Sequence, residues 1–178
     1  MLKRLFAAAA LILAISAAHS GNEQSADENF RVLPTDEAAT LWQMDEAHKQ
    51  APHFVRDVIK AHAEGCVAVA YEIHADGSVS NARVLKDSWS KLSPEVIADQ
   101  ERAVTDAALK WQFIPADANK DRIPVYTYKV VSFITGDNRY TVGMKAYRQK
   151  LKSQCEMPDF VQRVQQAVAA HSSLKPKP

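Results

Sequence analysis

Two cysteines are the residues of this chain with the clearest capacity for chemistry. Neither Cys66 nor Cys155 belongs to a CxxC pattern, and no HxxxH spacing accompanies either one, so their surroundings do not suit a zinc site. In an oxidising compartment a lone pair of cysteines usually forms a disulfide. The alternative is two isolated buried thiols. If the chain is exported, the sequence favours a bridge between Cys66 and Cys155.

The other titratable residues form no recognisable catalytic frame in the sequence. Among the six histidines, His53 and His62 lie nine positions apart and would not be neighbours on one helix. The sequence contains no GxSxG or HExxH motif and no glycine-rich phosphate loop. Asp76 directly precedes Gly77, which is typical of a turn residue rather than a catalytic acid. We therefore expect no enzyme activity, no cofactor and no metal site.

Composition places the chain among ordinary globular proteins and gives no reason to expect a nucleic-acid partner. Of its 178 residues, 47% are hydrophobic and 24% are charged, and the formal net charge is +1. A nucleic-acid-binding domain usually carries a clear excess of basic residues. The length suits one domain with additional terminal segments.

The first twenty residues predict export. Lys3 and Arg4 are basic, an apolar run extends from Leu5 to Ala18, and Ala18-His19-Ser20 fits the small-x-small rule for signal peptidase. We predict cleavage before Gly21 and a periplasmic mature protein. The alternative is an uncleaved inner-membrane anchor, although the run is shorter than the roughly 20 apolar residues that a spanning helix needs.

Two helices are predicted to precede the first strand. Residues 21–31 are polar and bury little, and Thr35 with the acids after it predicts a capped helix that ends near Lys49. Apolar residues at helical spacing predict a second helix over 52–63, and Gly65 is expected to end it.

Alternating apolar residues predict a hairpin and a third strand. Residues 67–73 alternate with a period of two, which indicates a strand with one buried face, and 79–85 form the returning strand. Asp76-Gly77 between them is a strong hairpin signal. The β-branched and aromatic segment 123–134 predicts the third strand, which Gly136-Asp137-Asn138 should end.

Three further helices complete the prediction. Ser93-Pro94-Glu95 opens a helix that reaches Trp111 along one apolar stripe, and Pro115 prevents its continuation. Residues 142–154 and 158–171 are predicted to be helical. The predicted fold class is α+β: a small antiparallel three-stranded sheet packed with helices, plus a C-terminal helical extension. The predicted boundaries are a signal peptide (1–20), a polar segment with a helix (21–51), the sheet domain (52–136) and the helical extension with a flexible tail (137–178).

Two motifs resemble the C-terminal domain of the TonB family. One is Gly65-x-Val67-x-Val69-x-Tyr71-x-Ile73, followed by the Asp76-Gly77 turn and Val79-x-Asn81. The other runs from Ala107 to Pro115 and matches an Ala-x-x-x-Trp-x-aromatic-x-Pro signature. The resemblance covers about half of the mature chain, and its signature residues have mostly structural roles. These residues are Gly65, Asp76, Gly77, Asn81, Trp111, Phe113 and Pro115.

This resemblance implies a protein-binding module. The family captures an extended segment of an outer-membrane receptor by adding it as a strand to its sheet, a mode called β-augmentation. It implies a partner in the cell envelope, possible pairing of two copies through edge strands, and a receiving edge on the third strand. The residues that would form this edge are Val125, Tyr126, Thr127, Tyr128, Lys129, Val130 and Val131.

Departures from the family pattern leave other functions open. An energy transducer keeps its anchor and carries a long proline-rich spacer, whereas only Pro34 lies between Gly21 and Pro52. The family's Tyr-Pro before the first helix is replaced by Phe54-Val55. One alternative is an anchored transducer. Another is an envelope assembly protein whose own C-terminal helices cover the third strand, which a bridge from Cys155 would favour.

Three aromatic residues allow two interpretations each. Trp89 follows the second strand and either packs on the helix or lies exposed for binding. Tyr126 and Tyr128 share one face of the third strand. They form either a half-buried sheet face or an aromatic strip beside the receiving edge.

Overall fold

The computed structural model describes residues 29–135 and 143–173. The predicted signal peptide and the predicted stop at Gly136-Asp137-Asn138 lie outside these residues. Within the described ranges, no helix has the length and apolar character needed to cross a membrane. The elements in chain order are β1 (Arg31–Val32), α1 (Thr35–Leu41), β2 (Trp42–Met44), a 3-10 turn (Glu46–His48), α2 (Arg56–Lys60), β3 (Gly65–Ile73), β4 (Val79–Trp89), α3 (Pro94–Ala108), β5 (Phe113–Pro115), β6 (Val125–Phe133), α4 (Met144–Cys155) and α5 (Phe160–Ser173).

The fold is α+β, as predicted, but its main sheet has four strands in the order β1-β6-β3-β4. Strand β3 lies at the centre and is antiparallel to both β4 and β6. The predicted three-stranded antiparallel sheet is therefore wrong in one respect. Arg31, predicted to be the last residue of a polar segment that buries little, and Val32 after it form a short strand parallel to β6. Their neighbours Phe30 and Leu33 supply the apolar contacts that hold this strand.

The hairpin forms at the predicted turn. The backbone N–H of Ser78 donates to Oδ1 of Asp76 at 2.9 Å, and Gly77 has a φ of +84°. A side chain at Gly77 would also lie 2.0 Å from the carbonyl oxygen of Phe113, so both the backbone conformation and the space require glycine. Hydrogen bonds from Ser78 hold the pKa of the Asp76 carboxyl below its usual value.

Gly65 has a different role from the predicted one. It begins β3 and does not end a helix, since α2 already stops at Lys60. A Cβ at Gly65 would lie 2.4 Å from the Ser88 carbonyl oxygen and 2.4 Å from the ring of Trp89. Glycine is needed here because the strand passes directly under the indole. Trp89 is partly buried and packs against the core on this face of the sheet, where its ring lies 5.2 Å from that of Phe133.

The first predicted helix is much shorter than the pattern indicated. It ends at Leu41, because Trp42–Met44 pair antiparallel with Phe113–Pro115 in a second sheet of two strands. This pairing places Pro115 in a strand and explains why the signature segment after α3 is extended. The hydroxyl of Thr35 does not cap the helix: it donates instead to the carbonyl oxygen of Tyr128 at 2.6 Å.

A buried amide supports the chain before α2. Gln100 of α3 is fully buried; its carbonyl oxygen accepts from the N–H of Val55 at 2.9 Å, and its Nε2 donates to the carbonyl oxygen of His53 at 2.9 Å. The helix α2 is therefore confined to five residues, whereas 52–63 was predicted. The residues before it are extended, and Phe54 packs edge-on against the ring of Phe133 at 5.1 Å.

Both faces of β3 are buried, although its alternation predicted one buried face. The first core lies on the side of α3 and contains the large residues of β3 together with Trp111 and Phe133. The second core lies on the opposite side, where Cys66, Ala68 and Ala70 meet residues from α4, α5 and the segment between them. Small residues on this second face let the C-terminal helices approach the sheet closely, so the helical extension is part of the fold.

A disulfide joins the two layers of the second core. Cys66 of β3 and Cys155 at the end of α4 are bonded to each other and are fully buried. The bridge closes a long loop, because the two residues are 89 positions apart in the sequence. Closing such a loop restricts the unfolded chain and stabilises the folded one.

Candidate protein-binding edge of the main sheet

Strand β6 has one fully paired side and one partly paired side. On its inner side it pairs with β3 without interruption from Val125 to Phe133. On its outer side, β1 pairs only with Val125 and Tyr126. The paired stretch is extended by backbone bonds from the N–H of Arg31 to the Pro124 carbonyl at 2.9 Å and from the N–H of Leu33 to the Tyr126 carbonyl at 3.1 Å.

These bonds establish which backbone groups of β6 point outward. The carbonyls of Pro124, Tyr126 and Tyr128 all accept hydrogen bonds from the segment 31–35. Backbone groups in a strand alternate with a period of two, so those of Val130 and Ser132 point to the same outer side. Pro34 lies where the chain leaves the edge to begin α1, so β1 stops after two residues.

A groove lies beside the stretch of β6 that β1 leaves uncovered. Its volume is about 580 Å³. Strand β6 forms the floor with Tyr128, Lys129 and Val130, α1 forms one wall, and α4 with the residues after it forms the other. The wall residues are Pro34, Thr35, Asp36, Ala39, Gln149, Lys152, Glu156, Met157 and Pro158.

The structure places the residues of the predicted binding set in different environments. Val125 and Tyr126 are already paired with β1, and the side chains of both are buried, as are those of Thr127 and Tyr128. These four side chains are therefore core residues, because the C-terminal helices and α1 close over the two faces of β6. The half-buried residues Lys129, Val130 and Val131 remain as candidates, together with the outer backbone groups.

The two tyrosines do not form an exposed aromatic strip. The rings of Tyr126 and Tyr128 lie 5.6 Å and 4.8 Å from the ring of Phe160 in α5. The hydroxyl of Tyr128 accepts from the N–H of Met157 at 3.1 Å and lies 3.3 Å from the Met157 carbonyl. The hydroxyl of Tyr126 accepts from the guanidinium of Arg83 at 2.8 Å. Both tyrosines therefore contribute to the packing of α5, and of the residues that link it to α4, against the sheet.

Lys129 is a half-buried cation at the boundary between the groove and the first core. Desolvation holds the pKa of its amine below the usual value, and the positive charges of Lys49 and Lys152 act in the same direction. Its Nζ lies 5.7 Å from the ring centre of Trp111, within reach of a cation–π contact. In the described part of the chain, it has no ion pair with a carboxylate.

The described residues include no group of three metal ligands. They do contain a polar cluster that the sequence patterns did not indicate: Nε2 of His74 lies 2.7 Å from the hydroxyl of Ser80, which donates to Glu72 at 3.0 Å. The amide of Asn81, a signature residue, also donates to Glu72. Asn81 has a φ of +50°, which asparagine tolerates better than most residues. The cluster links the two strands of the hairpin near its turn.

The sequence patterns did not predict that Arg31, Leu33 and Thr35 lie at this edge. The signal that was available is the segment Phe30-Arg31-Val32-Leu33 directly before Pro34, since three of its four residues are apolar and a proline after a strand ends pairing. The contribution of α4 to the groove had no local signal, because it depends on how the helix docks on the sheet.

No protein-family model matches the chain, and no curated protein matches it. A comparison with solved structures finds similarity to the C-terminal domain of TonB from Helicobacter pylori, determined by NMR in solution. The two chains are 21% identical, and the match covers 49% of this chain and 82% of that domain with a TM-score of 0.31.

Proposed function

We propose that this chain is a periplasmic protein-binding module of the TonB C-terminal type, which receives an extended segment of an envelope protein as an added strand on β6. The observation that carries the proposal is the outer edge of β6. This edge already accepts a parallel strand from the chain itself, and the groove continues it past Tyr126. An extended peptide would hydrogen-bond to the outward groups of Val130 and Ser132 and lie between α1 and α4.

The location in the periplasm is supported by the N-terminal sequence and by the cysteines. A basic, apolar and then small-residue segment is typical of exported chains. The buried bridge between Cys66 and Cys155 suits an oxidising compartment. A partner in the envelope, such as an outer-membrane receptor, follows from the sequence resemblance. This part of the proposal is independent of the geometry of β6.

Selection of peptides tests the binding proposal directly. The exported chain from Gly21 onward, with its disulfide intact, is used to select binders from a random peptide library displayed on phage. Amide NMR spectra with a selected peptide should then show the largest changes at Tyr128, Val130 and Ser132. If no peptide is selected, or if the changes map to β4 instead, strand addition at β6 is wrong.

Cell fractionation and intact mass test the location and separate the proposal from the transducer alternative. We expect a soluble periplasmic species that starts at Gly21 and lacks the two thiol hydrogens. A full-length mass in the inner-membrane fraction would favour an anchored energy transducer. That role would then need to be reconciled with the short segment between the anchor and the sheet domain.

A second candidate is an envelope assembly protein that reuses the fold. The bridge favours it, because the bridge links the end of α4 covalently to β3. In the described residues, however, those helices cover a face of the sheet, and the groove at the edge lies between α4 and α1. The peptide selection distinguishes the two candidates, because an assembly protein with a closed edge would select no peptide there.

A further inference from the structure

A small cavity lies next to the groove, on the other face of β6. Its volume is about 120 Å³, which leaves room for a few water molecules or for one carboxylate group. It is bounded by β3, β6, α1 and the two-stranded sheet. Three residues, Thr35, Ala39 and Lys129, line both the cavity and the groove. The cavity and the groove therefore adjoin at these residues.

The hydroxyl of Thr127 in this cavity has no partner. The residue is 2% exposed, and within the described ranges its Oγ1 makes no hydrogen bond. Leaving a buried hydroxyl without a partner is unfavourable, and such groups are rare in folded proteins. Tyr71, the cross-strand neighbour of Thr127 in β3, also lines the cavity, and burial raises the pKa of that phenol. The cavity thus offers a hydrogen-bond donor that faces no acceptor.

The charge next to the cavity is also unbalanced. Lys129 lines it and has no carboxylate partner among the residues that the structure describes, and the nearby amines of Lys49 and Lys152 add positive charge. Glu46 is the acid that acts on Lys129 in the opposite direction, but its carboxylate is already paired with Lys49 at 2.9 Å. A half-buried ammonium is stabilised most by an anion that replaces the lost hydration.

We infer that this cavity receives a carboxylate side chain, from an Asp or Glu of the bound segment, which pairs with Lys129 and accepts a hydrogen bond from Thr127. The inference rests on the proposed strand addition at β6 and adds a sequence requirement to it. Successive side chains of an added strand alternate between the two faces of the sheet. Only every second side chain lies on the Lys129 face, so the requirement applies to one position of the segment.

The test compares the peptides that three proteins select from the same random library: the wild-type chain, Lys129→Met and Lys120→Met. Methionine keeps most of the length of lysine and removes its charge, and Lys120 is an exposed lysine of the loop before β6. The wild type and Lys120→Met should select peptides with Asp or Glu at one fixed position. Lys129→Met should select peptides without that preference.

A thermodynamic cycle makes the pairing quantitative. One acidic peptide and its Asp→Asn or Glu→Gln partner are titrated against the wild type and Lys129→Met. Loss of the acid should weaken binding to the wild type about tenfold or more, and should leave binding to Lys129→Met nearly unchanged. Thr127→Val keeps the shape of the residue and should weaken the acidic peptide by about threefold.

The outcomes separate this inference from the proposal on which it rests. If the wild type selects peptides that bind at β6 but show no acidic position, or if Lys129→Met keeps the same preference, the carboxylate site is wrong and strand addition stands. If the wild type selects no peptide, both are wrong. Thermal unfolding of each variant confirms that a changed preference does not come from a misfolded protein.

Discussion

The two strands that flank β3 in the main sheet, β4 and β6, present very different edges on the sides that face away from β3. Strand β4 has eleven residues, its pairing with β3 shifts register twice, and Arg83 and Lys86 place charges along it. Strand β6 pairs with β3 in one unbroken register, and its outer side begins with a strand already in place. Bulges and charges discourage strand addition, whereas a regular edge permits it.

This difference shows that the number of unpaired residues along a strand edge does not by itself identify a binding site. The β4 edge is the longer one, and in the described structure no strand lies beside it. The β6 edge is shorter, but its walls, formed by α1 and α4, define where a segment would lie.

Removing the disulfide should have the largest effect, and the effect should be concentrated on the β6 side. In Cys66→Ala/Cys155→Ala, α4 loses its covalent link to the sheet, and we expect the free energy of unfolding to fall by about 2–4 kcal/mol. Urea denaturation measures the loss, and reduced wild-type protein is the control. Hydrogen exchange should accelerate in α4 and α5 more than in β4. Equal acceleration in β4 would show that the bridge stabilises the whole sheet.

Truncating the anchor of β1 should have the next largest effect. Leu33 is 7% exposed and packs in the first core, so Leu33→Ala should destabilise the protein by about 2 kcal/mol. The matched control is Leu85→Ala on the β4 edge, where the leucine is 36% exposed and about 0.5 kcal/mol is expected. Both values come from urea denaturation. Similar losses for the two variants would mean that β1 is only loosely held.

Proline substitutions should distinguish the two edges in binding. The N–H of Val130 points out of the β6 edge. Val130→Pro should remove the hydrogen bond from this N–H to an added strand, and the proline ring should keep that strand from coming close. We expect binding of a selected peptide to weaken about tenfold or more. Asp87 pairs with Val67 at a position of β4 whose backbone also points outward, and Asp87→Pro is the control. Titration calorimetry with one peptide gives both values. Equal weakening would contradict binding at β6.

Removing the charge of Lys129 should have the smallest effect on stability and should increase it. Burial lowers the pKa of this amine in the folded state. At neutral pH the amine is charged in both states, and its charge is better hydrated in the unfolded chain, which lowers the stability of the folded protein. Lys129→Met should therefore raise Tm by up to a few degrees at neutral pH. The gain should shrink as the pH rises through the lowered pKa, because wild-type folding then releases a proton. The matched control is Lys120→Met, which changes an exposed lysine in the loop before β6 and should change Tm little at neutral pH.

Local patterns were sufficient wherever a short segment decides its own conformation. The period of two in 67–73, the Asp76-Gly77 turn and the start of α3 at Pro94 are found where the sequence predicted them. So are the two C-terminal helices, within two residues at their starts. Each of these depends on steric preferences and on the periodicity of neighbouring side chains, which act within a few residues.

The pairing of distant segments was decided by the tertiary structure alone. Trp42–Met44 continue a helical pattern, yet they form a strand because Phe113–Pro115 lie beside them. The hydroxyl of Thr35 suits a helix cap, yet it donates a hydrogen bond to the carbonyl oxygen of Tyr128, which is 93 positions away in the sequence. The candidate site depends on the same kind of contact. Lys129 is one more polar residue in the sequence, and only the docking of α1 and α4 on β6 makes it a half-buried cation beside a cavity.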